Sequence, residues 1–131
     1  MNIFFPKEQD NETRFSLTGE TAQKFLKKNI NLSIQENINL QDALLEKLIE
    51  ENSINIVSRE EGLKSANIIC NLNKLSFDDI AKINPDTLAI SFLDPFNEKQ
   101  LIEEFRKKSI SSISMELIPR TTRAQKMDAL S

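Results

Sequence analysis

Short apolar runs and longer amphipathic stretches alternate along the whole chain. Six runs have the length and apolar character of strands, and they cover residues 3–5, 32–34, 54–57, 67–72, 88–93 and 110–115. Pro6 and Pro95 close the first and fifth runs, because proline cannot donate to a strand ladder. The run at 32–34 alternates apolar and polar positions. The run at 67–72 is apolar on both sides, which is typical of a central strand in a parallel sheet.

Between these runs, apolar residues recur at the three- and four-residue spacing of amphipathic helices. The pattern predicts helices that begin at Thr18, cover 40–51, cover 59–66, begin at Ser76 and cover 98–108. Thr18 and Ser76 are typical N-cap residues. Strands and helices therefore alternate with short connections. This predicts an α/β fold: an open, mostly parallel sheet of about six strands with helices on both faces, flavodoxin-like or Rossmann-like. We expect residues 1–131 to form one domain.

Charge and composition exclude several classes of function. The formal net charge of −3 provides no basic face for nucleic acid. Histidine is absent, which removes the commonest general base and metal ligand, so we expect no metal site. The single cysteine, Cys70, lies in an apolar run and predicts a small buried hydrophobe in a reducing compartment, without an internal disulfide. We find no signal-peptide pattern and no apolar stretch of membrane-spanning length.

Two pairs of adjacent carboxylates stand out, Asp78-Asp79 and Glu103-Glu104. Neighbouring residues on a helix do not face one common site, so both pairs are predicted to lie on solvated faces.

The last seventeen residues, 115–131, are the strongest candidate for a functional segment. An apolar run meets Pro119, and two arginines, a glutamine and an aspartate follow. Proline predicts that the sixth strand ends here and that a polar loop leads into a helix. In α/β folds, loops after parallel strands carry ligand-binding groups. Composition alone would favour a solvated basic loop.

Two stretches together change that interpretation. The first is Pro6-Lys7-Glu8 followed by Asn11-Glu12-Thr13-Arg14, and the second is Pro119-Arg120, Arg123-Ala124-Gln125 and Met127-Asp128-Ala129-Leu130-Ser131. They resemble the alanine dehydrogenase/pyridine nucleotide transhydrogenase family, and the ending resembles the alpha subunit of the transhydrogenase branch most. The resemblance runs over essentially the full length of the chain.

The resemblance implies a site for the nicotinamide of NAD(H). Arg120, Gln125, Asp128 and Ser131 match the family positions near that ring, and such donors and acceptors could fix the orientation of a carboxamide. Hydride transfer needs orientation of two rings and no protein acid or base, so no catalytic residue is assigned.

The first loop could support this site through Arg14 and Glu8. For Arg14, a surface ion pair with Glu8 or Glu12 is an equal alternative. Glu8 could instead be structural and tether its loop.

The resemblance also implies partners. In the family, NAD(H) lies between a domain like this one and a C-terminal Rossmann domain, and NADP(H) binds a separate component. Hydride transfer is coupled to proton movement across a membrane. The implied complete protein is a homodimer on the cytoplasmic side of the inner membrane, peripheral through its partner components, whereas this chain itself is expected to be soluble.

Three departures from the family pattern limit the prediction. Asn73 and Asp94 stand where the alanine dehydrogenase branch has a lysine and a histidine, which disfavours amino-acid oxidation. The segment 37–39 replaces a glycine-rich turn, although asparagine tolerates positive φ. Gly19 and Gly62 are the only glycines, so no Gly-x-Gly-x-x-Gly phosphate loop exists in 1–131.

The favoured function is therefore one wall of a transhydrogenase site, inactive as this chain alone. The alternative is a degenerate or stand-alone, non-catalytic binding or assembly domain. An alanine dehydrogenase-like oxidoreductase is the less favoured third hypothesis.

Overall fold

A computed structural model describes residues 1–9, 12–72, 75–91, 103–104, 106–108 and 111–114. The strands are β1 (Asn2–Phe5), β2 (Asn31–Gln35), β3 (Asn55–Val57), β4 (Ile68–Cys70), β5 (Leu88–Ser91) and β6 (Ser111–Ser114). The helices are α1 (Gly19–Lys27), α2 (Ala43–Glu50), α3 (Arg59–Ser65) and α4 (Phe77–Lys82). Residues 103, 104, 106 and 107 are also helical, inside the predicted helix 98–108.

The six strands form one sheet in the order β3-β2-β1-β4-β5-β6. Every neighbouring pair is parallel. The chain first builds outward through β2 and β3, then crosses back to place β4 on the other side of β1. The loops that leave β1 and β4 therefore diverge, and the crevice between them is where open α/β sheets bind ligands. The predicted fold class is confirmed.

The sheet carries an apolar core on each face, because successive side chains of a strand point to opposite sides. Ile3 and Phe5 pack with Phe25 of α1 and Leu45 of α2. Phe4 points the other way, into a second cluster with residues of α3 and α4. Helices thus cover both faces. This also explains why Leu32, Ser33 and Ile34 are all buried despite their alternation.

Local side chains determine where the helices begin. Thr18 accepts a hydrogen bond from the Thr21 amide at the start of α1, and Ser76 forms a capping box with Asp79 at the start of α4. Both predicted caps are confirmed. The predicted start of α2 at residue 40 is wrong, because Asp42 accepts a hydrogen bond from the Leu45 amide and acts as the cap.

Asparagine takes positions where many proteins use glycine. Asn29 and Asn52 follow the ends of α1 and α2 with φ of 61° and 60°. The next amide in each case, Ile30 or Ser53, donates to a carbonyl five residues earlier, as in a Schellman motif. Asn37, after β2, has φ of 65°. Asparagine thus provides a positive φ in the segment that replaces a glycine-rich turn.

Cys70 is partly buried against the core on the α1 side. Burial raises the pKa of its thiol to about 12, so the thiol is protonated at neutral pH. The predicted role as a small hydrophobe is confirmed.

Among the described residues, none of the helices has the length and apolar character needed to cross a bilayer.

Gly62 lets α3 approach the sheet closely. A Cβ built on Gly62 would overlap the ring of Phe4, a side chain with no exposed surface. The glycine is needed for packing here, although alanine is the better helix former by about 1 kcal/mol.

We expect Gly62→Ala to lower the free energy of unfolding by about 1–3 kcal/mol, because overpacking outweighs the gain in helix propensity. Urea unfolding measures the change. Lys64→Ala on the same helix is the control and should change the stability little, because its ion pair with Glu60 is solvent-exposed. An unchanged or increased stability for Gly62→Ala would contradict this account of the packing.

Candidate functional site

A cleft of about 470 Å³ lies at the carboxyl edge of the sheet beside β1. It is lined by residues 7–9 and 12–15 from the loop after β1, and by Ile38, Asn39 and Gln41 from the loop after β2. Charged side chains of both signs line it. This loop after β1 carries both Glu8 and Arg14.

The backbone of Lys7 is held from two sides, two residues after β1 ends. Its amide donates to Gln35 Oε1 at 2.8 Å. Its carbonyl accepts from Arg59 Nη1 at 3.2 Å, and the same nitrogen donates to Gln35 Oε1 at 2.9 Å. Side chains from β2 and α3 thus hold the two successive peptide groups on either side of the Lys7 Cα.

Arg59 is itself held by Asp79 at the start of α4. Its Nε and Nη2 donate to the two carboxylate oxygens at 2.8 and 2.7 Å. Burial raises the pKa of Asp79, but the hydrogen bonds from Arg59 and Ser76 outweigh it and leave this pKa below its ordinary value. The hydrogen bonds that Arg59 donates to Asp79 raise the pKa of Arg59. The prediction that Asp79 is solvated is therefore wrong, whereas Asp78 is exposed as predicted.

Glu8 links the loop after β1 to Leu72, two residues after the end of β4. Its Oε2 accepts the Leu72 amide at 2.8 Å. The bond spans the crevice between the diverging loops, and it confirms the tethering role considered for Glu8.

Arg14 forms the predicted ion pair with Glu12. Its Nε and Nη2 donate to the two oxygens of Glu12 at 2.9 and 3.0 Å. Hydrogen bonds from the Arg14 side chain and amide lower the pKa of Glu12 to about 2. The pair thus stays ionised at neutral pH, although 74% of the Arg14 side chain remains exposed.

Asp42 occupies the N-terminus of α1 as well as that of α2. Its Oδ2 accepts the Gly19 amide at 2.8 Å, and its Oδ1 accepts the Leu45 amide at 3.0 Å. These bonds lower the pKa of Asp42. A helix N-terminus attracts anions, and here the Asp42 carboxylate already takes that place.

Within the described parts of the chain, no group of three histidine, cysteine, aspartate or glutamate side chains could hold a metal ion.

Known proteins agree with this architecture. The family model described as "Alanine dehydrogenase/PNT, N-terminal domain" matches residues 4–131. The chain belongs to this family. The resemblance of its two terminal stretches is thereby confirmed.

Curated relatives of this family domain include alpha subunits of NAD(P) transhydrogenase. The first part of the NAD(P) transhydrogenase alpha subunit of Rickettsia prowazekii is 29% identical over the whole chain, which spans 36% of that protein. The NAD(P) transhydrogenase subunit alpha of Haemophilus influenzae is 26% identical, and the chain spans 26% of it. The chain therefore corresponds to about a third or less of these relatives.

Solved structures share the fold. Transhydrogenase from Sinorhizobium meliloti matches with a TM-score of 0.79 and 24% identity, over 99% of this chain and 39% of that one. An L-alanine dehydrogenase matches with a TM-score of 0.76 and 16% identity, over 93% of this chain and 34% of that one.

The site residues predicted from the sequence divide into two groups. Glu8 and Arg14 lie on the same loop and line the same cleft. The other four predicted site residues lie outside the described residues: Arg120, Gln125, Asp128 and Ser131. The same holds for Asn73 and Asp94, the two departures from the alanine dehydrogenase branch.

Four residues that organise this edge were not identified from the sequence: Gln35, Arg59, Asp79 and Asp42. One local signal was present, because Ser76 and Asp79 have the spacing of a capping box. No spacing rule pairs Arg59 with a carboxylate twenty residues later.

We expect Asp79→Asn to lower the free energy of unfolding by about 1–2 kcal/mol at pH 7, since it removes a charge-assisted pair that is only partly exposed. Because the pKa of Asp79 is depressed in the folded state, its contribution is full above the unfolded pKa. It is lost as pH falls through the folded pKa.

The difference in stability between wild type and Asp79→Asn should therefore shrink below about pH 4. Urea unfolding at pH 7, 5, 4 and 3 measures it. The control is Asp78→Asn on the exposed side of the same helix turn, with an expected loss of only about 0.3 kcal/mol. A difference between wild type and Asp79→Asn that stays constant down to pH 3 would refute the assignment.

Proposed function

We propose that this chain is the N-terminal part of a proton-translocating NAD(P) transhydrogenase alpha subunit. It contributes one wall of the site that holds the nicotinamide of NAD(H) during hydride transfer to NADP. The observation that carries the proposal is the alignment of the whole chain, terminal segment included, with transhydrogenase alpha subunits.

In this proposal the terminal segment supplies the side chains that contact the nicotinamide. Its carboxamide has two N–H donors and one carbonyl acceptor. Gln125 and Ser131 can each both donate and accept, Asp128 accepts, and Arg120 offers a planar set of donors. Together these groups could fix the rotation of the carboxamide and hence the face of the ring that is presented.

Orientation is the whole contribution required of this wall. NADH carries the hydride that is transferred, and the protein aligns the two rings and excludes water. The mechanism therefore needs no histidine and no titrating side chain from this chain. Glu8 supports the site by tethering the loop after β1 to Leu72.

The phosphates of NAD(H) are bound elsewhere in this scheme. The Gly19 amide at the start of α1 donates to Asp42, and Gly62 packs against Phe4. The two glycines therefore serve helix packing. We assign phosphate binding to a Rossmann domain of the complete protein and NADP(H) to a partner component. Such an assembly would be a homodimer on the cytoplasmic side of the inner membrane.

Two alternatives involve different chemistry. In a non-catalytic binding or assembly domain, the terminal residues would contribute to stability alone. In an alanine dehydrogenase-like enzyme, a keto-acid carboxylate would need Arg14, whose Nε and Nη2 are already engaged by Glu12. Asn73 and Asp94 also lack the amine and imidazole of that branch, so oxidation of alanine is the weaker hypothesis.

We expect Arg120→Ala or Gln125→Ala, in the complete protein with its NADP-binding component, to slow hydride transfer at least about tenfold through misorientation of the ring. The free energy of unfolding should change by less than about 0.5 kcal/mol. Single-turnover stopped-flow kinetics and urea unfolding make the two measurements. Arg123→Ala, in the same segment, is the control and should retain the wild-type rate. Wild-type rates in both test variants would favour the assembly domain.

We further expect the isolated chain 1–131 to bind NADH no more tightly than the millimolar range, because the groups that hold the phosphates are absent from it. Isothermal titration calorimetry makes the measurement. Submicromolar binding by the isolated chain would overturn the assignment of phosphate binding to a second domain.

A further inference from the structure

The loop after β1 begins with two successive peptide groups, on either side of the Lys7 Cα, that two other elements hold. Both hydrogen-bonding groups of Lys7 are used, its amide by Gln35 and its carbonyl by Arg59. These two groups belong to successive peptide planes, so holding both restrains φ and ψ of Lys7 and limits the direction in which the following residues leave the sheet. The next residue is Glu8, which reaches across the crevice to the Leu72 amide.

Arg59 is well suited to act on this loop because its own position is fixed. Asp79 takes two donors of the guanidinium, and Asp79 Oδ2 also accepts the Ser76 amide at 3.1 Å. The Asp79 side chain is 10% exposed and that of Arg59 is 30% exposed. A group with both its carboxylate partner and its loop partners in place cannot rotate without losing several hydrogen bonds.

Only a guanidinium can make this set of bonds. Nε and Nη2 face Asp79, while Nη1 faces the Lys7 carbonyl and Gln35. A lysine ammonium donates from one nitrogen only and cannot span the carboxylate and the loop at once. Charge alone therefore does not account for arginine at this position.

We propose that Arg59 is a positioning residue: through Lys7 and Gln35 it fixes the loop that carries Glu8 and lines the cleft beside β1. Proper orientation of the nicotinamide then depends on Arg59 indirectly, because its guanidinium bonds to Asp79, Lys7 and Gln35. This consequence for hydride transfer rests on the function proposed above. The effect on the loop itself does not.

Arg59→Lys tests the proposal, since it keeps the charge and loses the fork. In chain 1–131 we expect hydrogen exchange of the Lys7 amide, followed by NMR, to accelerate about tenfold. The Glu36 amide, which donates to the Val57 carbonyl between β2 and β3, is the internal reference and should not change. Arg106→Lys, at a mostly exposed arginine, is the matched control.

In the complete protein, Arg59→Lys should slow single-turnover hydride transfer about tenfold and change the Kd for NADH less than threefold. A purely structural residue would leave the rate of the folded fraction unaltered.

A second variant guards against simple loss of folding. Arg59→Met with Asp79→Asn removes both charges and keeps a side-chain oxygen for the Ser76 amide. The proposal requires fast Lys7 exchange and slow hydride transfer in this variant even where its Tm equals that of wild type. Wild-type exchange at Lys7 in both variants would overturn the role of Arg59 in holding the loop.

Fast exchange with wild-type hydride transfer would overturn the role in positioning the nicotinamide. Absence of hydride transfer in the wild-type complete protein would instead overturn the proposed function, while the exchange measurement would still decide whether Arg59 holds the loop.

Discussion

The reversal of strand order at β1 is the constraint from which the rest of the structure follows. Because β2 and β3 lie on one side of β1 and β4 to β6 on the other, loops at its carboxyl end must part. Backbone groups next to such a gap lack strand partners and need side-chain ones. Glu8, Gln35 and Arg59 supply them, and Asp79 holds Arg59 from the far side. The loop after β1 is thereby tied to β2, to α3 and to the segment after β4.

A scarcity of glycine shapes the other elements. Asn29, Asn37 and Asn52 adopt the left-handed conformation that glycine often provides. The two glycines that remain sit where a side chain would collide with a neighbour: Gly62 against Phe4, and Gly19 against Leu44 and Asp42. Asparagine thus occupies positions with positive φ, and glycine occupies positions where a helix packs too closely against its neighbours for a side chain.

Much of the fold could be predicted from the sequence because burial on both faces leaves nearly continuous apolar runs, and because caps such as Thr18 and Ser76 act over three residues. Contacts between distant segments left no such pattern. The partner of Arg59 is twenty residues away, and Asp42 bonds to an amide twenty-three residues before it. Of the candidate site, the Glu12–Arg14 pair was accessible because it is local. The terminal residues from Arg120 onward were identified through family resemblance, since composition indicates only a basic loop.

The carboxylate of Asp42 stabilises the N-termini of α1 and α2 without any bound ligand. When a phosphate ligand binds a helix N-terminus in the folded state alone, the free energy of unfolding of the protein rises with the logarithm of the ligand concentration. Here the anion is covalently part of the chain and serves two helices at once. The stabilisation that the Asp42 carboxylate provides therefore does not vary with the concentration of nucleotide. The N-termini of α1 and α2 therefore need no phosphate-bearing ligand to keep their arrangement.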